Sequence, residues 1–376
     1  MTIDATTKSA NLRAALADEL ADTGDLRTHA WRKAFLATPR HAFLSSFHQQ
    51  TLTGVVEVTE ESPDWLHTVY SDASLVIQVT DGLPTSSSTM PGLMMRMLEA
   101  LGVRDGMNVL EVGTGTGYNT ALLCARLADH RVTTIDVDPT LTAPARERLA
   151  GLGMYPQVVT GDGADGVPDR APFDRIIATC AVRHLPMPWL RQLTSDGAVM
   201  ATVETGLHGY GLALVRADGH GRILTEKASF MPMRSHADPA FTVLCAQAVE
   251  PGMESRTDFL PSAISSNATR FVLGLSLPGT VSFGMSENGA GGLYLAHRTD
   301  GSWARVRDDG HVLQGGPRRL WDELEQAHGS WLAAGSPQPH DLLVTVDDAG
   351  QHLHTPAGDF SLDLSSPAAV TKGQAP

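Results

Sequence analysis

Cysteine is scarce in this chain of 376 residues: Cys124, Cys180 and Cys245 are the only three, an odd number set far apart. That spacing excludes a disulfide framework and a thiolate zinc site, and it points to reduced thiols in the cytoplasm. Basic charge is also short, with 28 Lys and Arg against 42 Asp and Glu and a net charge of −14. A nucleic-acid backbone requires a basic face, so nucleic acid is not expected as a partner. There is no uninterrupted apolar run of about 18 residues, and the opening "MTIDATTKSANLR" lacks the apolar core of an export signal. Neither a membrane span nor export is expected. The histidines, His208, His236, His340 and His354 among them, show no HxxxH or HExxH spacing, so no metal site is expected.

What is present is ordinary globular material, 42% hydrophobic and 19% charged, at a length that suits two domains. Apolar spacing predicts a helix over about 8–23 and a second over 26–38, "LRTHAWRKAFLAT". "SLVIQV" (74–79) reads as a strand, and Leu93, Met94, Met97, Leu98 and Leu101 then fall on one helical face. From about 107, short apolar runs such as "NVLEVG", "RVTTIDVD", "QVVTGD" and "FDRIIATC" alternate with helical ones, "MPWLRQLTSDG" being the last. This is the signature of βαβ units and a doubly wound α/β sheet.

Past about 236 the texture changes. "RFVLGLSL", "TVSFGM" and "GLYLAH" read as strands, "PRRLWDELEQAHGSWLAAG" as a helix, and "HDLLVTVDDAGQHLHTP" as a hairpin. The expected organisation is an N-terminal helical and active-site-loop segment (1–90), an α/β domain (91–236), an α+β accessory domain (240–362) and a disordered tail (363–376). Trp303, Trp321 and Trp331 are expected in the accessory core.

"VLEVGTGTGYNTALL" places Gly113, Gly115 and Gly117 between a strand and a helix. There, glycine lets the backbone approach a ligand and the helix N-terminus offers free N–H groups. A dinucleotide loop is the competing reading. Asp136, ending the second strand, fits the ribose hydroxyls of either ligand. Asp162, ending the third, suits an adenine amino group as in S-adenosylmethionine sites, and Glu111 fits a methyltransferase loop better than GxGxxG spacing does. Thr114 and Gly163 complete the candidate cofactor residues.

Ahead of the helix that carries Leu93 to Leu101 stand five hydroxyl residues, Thr85, Ser86, Ser87, Ser88 and Thr89. One hydroxyl suffices to cap a helix. The bland reading is a solvated loop with Thr89 or Ser88 as N-cap and Pro91 in the first turn. Arg183 and His184, just beyond the fourth strand, are further candidates; Cys180 has neither base nor partner thiol.

Over roughly residues 10–235 the chain resembles protein-L-isoaspartate O-methyltransferases. The resemblance rests on "RKAFLATPRHAFL" (32–44), "VYSDASLVIQV" (69–79), the hydroxyl run with "MPGLMMRMLEAL", and the glycine loop, all in that family's order. It implies a class I S-adenosylmethionine-dependent methyltransferase with a Rossmann-like sheet. It also implies a catalytic role for Thr89, which stands where the family has its active-site serine, with Ser88 and Ser87 beside it. Ser88 replaces an apolar residue and Ser87 a threonine. Ser86, Arg183 and His184 are the implied substrate contacts.

The long C-terminal portion departs from the usual repair enzymes and resembles the methyltransferases that accompany ATP-grasp ligases in graspetide maturation. That resemblance implies an aspartate in an acidic, ester-crosslinked ribosomal precursor peptide as acceptor, with collapse of the methyl ester to an aspartimide. A companion ATP-grasp ligase would be a partner. The alternatives are isoaspartyl repair and a non-catalytic, cofactor-binding peptide escort.

Overall fold

The computed structural model describes residues 3–51, 54–80, 82–234, 244, 252–287, 290–358 and 360–364. His236, Cys245, the expected domain limits at 236 and 240, and the tail beyond 364 lie outside the described residues, whereas Asp363 and Leu364, expected as the start of the disordered tail, end the strand Ser361–Leu364. By compactness the chain forms two units. The first is Met1–Cys180, Pro186–Ala201 and Arg216–Asp218; the second is Ala181–Leu185, Thr202–Val215 and Gly219–Pro376.

In the first unit, α1 (Ile3–Asp22) is followed by α2 (His29–Ala37), where Thr28 Oγ1 accepts from the Trp31 N–H at 3.4 Å. Trp31, Ala34 and Phe35 bury one face of α2, the i, i+3, i+4 stripe of a core-facing helix. The segment up to residue 90 is more than helical. It folds an antiparallel four-stranded sheet from β1 (Ser46–Thr51), β2 (Gly54–Thr59), β3 (Leu75–Thr80) and β4 (Leu83–Ser88), in the order β2-β1-β3-β4. α3 (Trp65–Val69) lies between β2 and β3 in the chain.

The hydroxyl run is therefore neither a loop nor a cap: Thr85 to Ser88 form the edge strand β4. α4 (Pro91–Ala100) follows, burying Leu93, Met94, Met97 and Leu98 as its spacing predicts.

The α/β portion runs β5 (Val109–Val112), α5 (Tyr118–Leu127), β6 (Val132–Asp136), α6 (Pro139–Gly151), β7 (Gln157–Thr160), β8 (Phe173–Val182), α7 (Met187–Arg191) and β9 (Leu193–Glu204). Its strand order is β9-β8-β5-β6-β7, with β5 parallel to β6 and β8, and β6 parallel to β7. All four residues of β5 are buried, as in a strand covered on both faces. The chain leaves β5 toward β6 and β7, then returns to its other side at β8. A crevice at the carboxyl ends of β5 and β8 is the ligand position of such a sheet. The helix expected over 187–197 stops at Arg191, and the polar Thr194-Ser195-Asp196 stretch is already strand.

Arg40 ties these parts together. It is fully buried in the 3₁₀ turn Arg40–Phe43. Nη1 donates to the carbonyls of Val69 (2.9 Å) and Ser71 (3.1 Å). Nη2 donates to those of Ala73 (3.0 Å), Ser88 (3.2 Å) and Thr89 (3.1 Å), with Ser88 Oγ at 3.4 Å. The guanidinium also sits 5.8 Å from the centre of the Tyr118 ring. Burial lowers its pKa to about 10, so it remains charged at neutral pH.

In the second unit, β10 (Tyr210–Arg216) pairs with β11 (His220–Ile223). β12 (Met253–Arg256), β13 (Thr280–Glu287), β14 (Ala290–His297), β15 (Trp303–Arg307) and β16 (His311–Gly315) form a five-stranded antiparallel sheet, ordered β12-β16-β15-β14-β13. The expected hairpin is β17 (Leu343–Asp347) with β18 (Gly350–His354), extended by β19 (Ser361–Leu364).

"RFVLGLSL" is not a strand. It belongs to the helix Asn267–Leu275, whose N-cap Ser266 Oγ accepts from the Thr269 N–H at 3.0 Å. Phe271 through Leu275 are all buried, so no periodicity marks the segment as helical. Trp303, Trp321 and Trp331 are buried, the last two on the helix Leu320–Ala333. Among the described residues no helix is long and apolar enough to cross a membrane, and no group of three metal-ligating side chains occurs.

Replacing Arg40 by Met leaves several buried carbonyls unpaired, each costing about 1–3 kcal/mol. Urea unfolding of Arg40→Met is expected to show a loss above about 3 kcal/mol. A loss below about 1 kcal/mol would contradict the tying role.

Candidate active site

The loop from β5 into α5 turns on three glycines with positive φ: Gly113 at +102°, Gly115 at +50° and Gly117 at +87°. An added Cβ at Gly113 would lie 2.5 Å from Thr179 Oγ1 on β8, and one at Gly117 would lie 3.2 Å from Ala145 Cβ on α6. Those two glycines are required by packing. Gly115 differs, since the nearest atoms to its missing Cβ are Ser86 Oγ and Ser87 O, each at 3.8 Å. The glycine loop and the hydroxyl strand therefore face each other at about one van der Waals contact.

The acids stand beside this gap. Asp136 Oδ2 accepts from the Gly115 N–H at 3.0 Å and Oδ1 from the Asp138 N–H at 3.1 Å. Its carboxylate is oriented by backbone and keeps further lone pairs for a ligand. Asp162 is exposed, and its Oδ1 accepts from the Ala164 N–H at 2.9 Å to start the 3₁₀ turn Gly163–Asp165. That turn is held from behind: Trp189 Nε1 donates to Gly163 O at 2.7 Å and Gln192 Nε2 to Asp165 O at 2.7 Å. Thr114 is buried, its hydroxyl 2.8 Å from that of Thr134.

Glu111 is wholly enclosed by protein. Asn119 Nδ2 donates to Oε1 at 2.8 Å and Thr120 Oγ1 donates to Oε2 at 2.5 Å, so the carboxyl braces the start of α5 against β5. Burial raises its pKa to about 7, against the lowering effect of these donors.

The five hydroxyls divide. Thr85 Oγ1 donates to Gln78 Oε1 at 2.8 Å, and Ser88 Oγ lies against Arg40. The hydroxyls of Ser86, Ser87 and Thr89 are half-buried and take no partner among the described residues. Neither Thr89 nor Ser88 caps α4: the N-cap residue is Met90, which makes no side-chain cap bond. The loop before β3 serves the helix start, with the Met90 N–H donating to Ser74 Oγ at 3.1 Å and the Gly92 N–H to Asp72 Oδ1 at 2.6 Å. Those two amides are spent on side chains of the loop before β3.

Arg183 and His184 follow β8 within the second unit, both half-buried. Burial and the neighbouring Arg183 charge lower the His184 pKa, favouring the neutral ring. Burial pushes the Cys180 thiol up to about 12, which leaves it protonated.

Four contributors had not been singled out from sequence: Arg40, Asp72, Gln78 and Asp138. A Pro39-Arg40 pair among the apolar Phe35, Phe43 and Leu44 was one available signal. Asp138-Pro139 was another, an N-cap followed by proline at the first helical position. Gln78 carries no local signal.

The described geometry fits a nucleoside-bearing cofactor: two accessible carboxylates and a glycine loop with room for a ligand at Gly115, beside the hydroxyl strand. Residues 11–236 match the family described as Protein-L-isoaspartate(D-aspartate) O-methyltransferase (PCMT). A protein-L-isoaspartate O-methyltransferase of Pyrobaculum islandicum is 30% identical over 227 residues, covering 58% of this chain and 97% of that protein. One from Thermococcus onnurineus is 34% identical over 188 residues, covering 50% and 75%. A solved protein-L-isoaspartate O-methyltransferase shares the fold with a TM-score of 0.54 at 23% identity, covering 92% of this chain and 99% of its own. That solved chain is of similar length, whereas the Pyrobaculum islandicum protein is matched almost whole by 58% of this chain.

The raised Glu111 pKa gives a signed prediction. In the unfolded chain the group ionises near 4.5 and in the fold near 7, so its contribution to stability is present below about 4.5 and lost as pH rises to about 7. Glu111→Gln removes this dependence. From pH 5 to 8 the variant is expected to gain about 2 kcal/mol relative to the natural chain in urea unfolding; a pH-independent difference would contradict the burial of an ionisable carboxyl.

Proposed function

The chain belongs to the protein-L-isoaspartate(D-aspartate) O-methyltransferase family, and from that premise we propose that it methylates the free carboxylate of L-isoaspartyl residues in peptides. It is an S-adenosylmethionine-dependent protein carboxyl methyltransferase. The observation that supports the reading is the juxtaposition of Gly115 with Ser86 and Ser87, which brings donors without charge to the edge of the cofactor loop.

The cofactor, when bound, supplies an electrophilic methyl group. The acceptor is a carboxylate, and an aspartyl carboxyl ordinarily ionises near about pH 3.9, so it is already charged at neutral pH and no general base is required. The residues of this chain orient it. Ser86, Ser87 and Thr89 donate to a carboxylate oxygen without competing as charged nucleophiles, while Asp136 and Asp162 hold the nucleoside. Placing the oxygen within about 3–3.5 Å of the methyl carbon supplies most of the rate enhancement. The ester formed is open to attack by the next backbone nitrogen, which releases methanol and closes an imide.

A second reading is methylation of an ordinary aspartate in an ester-crosslinked ribosomal peptide made with an ATP-grasp ligase. It rests on the resemblance of the long C-terminal portion read from the sequence; the Ser88 hydroxyl, 3.4 Å from Arg40, is structural and bears on neither reading. Incubation with S-adenosylmethionine and three peptides separates the readings: an isoaspartyl peptide, its aspartyl counterpart and a crosslinked precursor. A mass gain of one methylene on the isoaspartyl peptide is expected; turnover of the crosslinked peptide alone would transfer the assignment to the second reading.

Thr89→Ala is expected to lower kcat/KM by about 10- to 100-fold, the value of one hydrogen bond to a charged group, while S-adenosylhomocysteine affinity changes by less than about threefold. Asp136→Asn is expected to do the reverse, weakening S-adenosylhomocysteine binding in titration calorimetry. Equal loss of both functions in Thr89→Ala would return that residue to a structural role.

A further inference from the structure

A continuous hydrogen-bonded path joins the cofactor-side acid to the hydroxyl strand. The N–H groups of Gly115 and Asp138 both donate to Asp136, at 3.0 and 3.1 Å. The Asp138 carboxylate caps α6, with Oδ1 accepting from the Thr140 N–H at 2.8 Å and Oγ1 at 2.6 Å. Its other oxygen, Oδ2, accepts from Gln78 Nε2 at 2.9 Å. Gln78 Oε1 in turn accepts from Thr85 Oγ1 at 2.8 Å, on β4 itself.

Gln78 occupies an unusual position. The β3/β4 register slips on either side of it, between Val76 and Gln78 and between Gln78 and Val79. A bulge re-aims a side chain that regular alternation would direct elsewhere. Here the side chain reaches out of the four-stranded sheet to the N-terminus of α6. Its amide uses both ends, donating to Asp138 and accepting from Thr85, which neither a carboxylate nor an apolar group of that length can do.

We propose that Gln78 is a positioning residue that couples occupation of the cofactor loop to the placement of the hydroxyl strand, so that Ser86, Ser87 and Thr89 are ordered for the acceptor only once the cofactor is held. The proposal rests on the reading that loop and strand serve one methyl transfer. It adds an order of events: a ligand on Asp136 restrains Asp138, Asp138 restrains Gln78, and Gln78 restrains β4. The free-energy link is reciprocal, so a carboxylate peptide on β4 tightens the cofactor in return.

The test is hydrogen exchange of the full chain with and without S-adenosylhomocysteine. In the natural chain, the ligand is expected to slow exchange over 113–117 and, by about fivefold or more, over the strand 83–88. Gln78→Leu is expected to retain the slowing over 113–117 and lose it over 83–88. Thr85→Val, which breaks the same path at the next bond without filling or emptying the site, is expected to behave alike and guards against a folding defect in the first variant. If either variant exchanges faster over 83–88 in both states but keeps the bound-to-free ratio of the natural chain, Gln78 only docks the sheet and the proposal is overturned. Absence of slowing over 83–88 in the natural chain overturns it as well. The readout needs no peptide, so failure to methylate an isoaspartyl peptide would count against the functional reading and leave this result standing.

Discussion

A single guanidinium holds the architecture around the site. Arg40 gathers carbonyls from the stretch between α3 and β3 (Val69, Ser71, Ala73) and from the junction of β4 with α4 (Ser88, Thr89), two segments distant in sequence from it. Five carbonyls drawn onto one buried cation fix where β4 ends and where α4 begins, and hence where Thr89 stands. Tyr118, the first residue after the glycine loop, lies under the same guanidinium. The hydroxyl strand and the cofactor loop are thus indexed to a common point. A buried arginine is costly unless its donors are satisfied; here Nη1 and Nη2 are satisfied mainly by backbone, which no side-chain substitution in those segments removes, while the buried Nε has no partner among the described residues.

The hydroxyl run then acquires a division of labour. Thr85 and Ser88 are structural, one bonded to Gln78 and the other beside Arg40, while the hydroxyls of Ser86, Ser87 and Thr89 make no hydrogen bond among the described residues. For a reaction whose nucleophile is already ionised, orientation by neutral donors is what the protein has to supply. Family membership over residues 11–236 and the site chemistry agree on carboxyl methylation. The family match ends at residue 236, and the likeness to a solved structure over 92% of the chain is one of fold.

Much of the α/β portion was legible because its signals are local. The glycine loop, the acids at strand ends and the apolar stripe of α4 are each set within about ten residues. The four-stranded sheet was not legible, for a physical reason. β1 and β4 read "SFHQQT" and "LPTSSS", polar strings without clean alternation, and β1 reaches β3 through the pairing of His48 with Val76. Strand identity there comes from tertiary pairing and from Arg40, not from propensity. The helix Asn267–Leu275 was misread as a strand because five consecutive buried residues erase the helical period, although Ser266 supplied an N-cap signal. At the site, the glycines and acids could be read from sequence. The partition of the hydroxyls depended on Arg40 and Gln78, whose partners include residues far along the chain, Tyr118 and Asp138 among them.

The central claim is that the hydroxyls of Ser86 and Ser87 on β4 and of Thr89 after it, which have no partner among the described residues, hold the acceptor carboxylate. A crystal structure with S-adenosylhomocysteine and an isoaspartyl peptide tests it most directly. The expected result is an acceptor carboxylate oxygen within about 2.6–3.2 Å of at least one hydroxyl among Ser86, Ser87 and Thr89. A carboxylate bound elsewhere, with all three hydroxyls facing water, would contradict it.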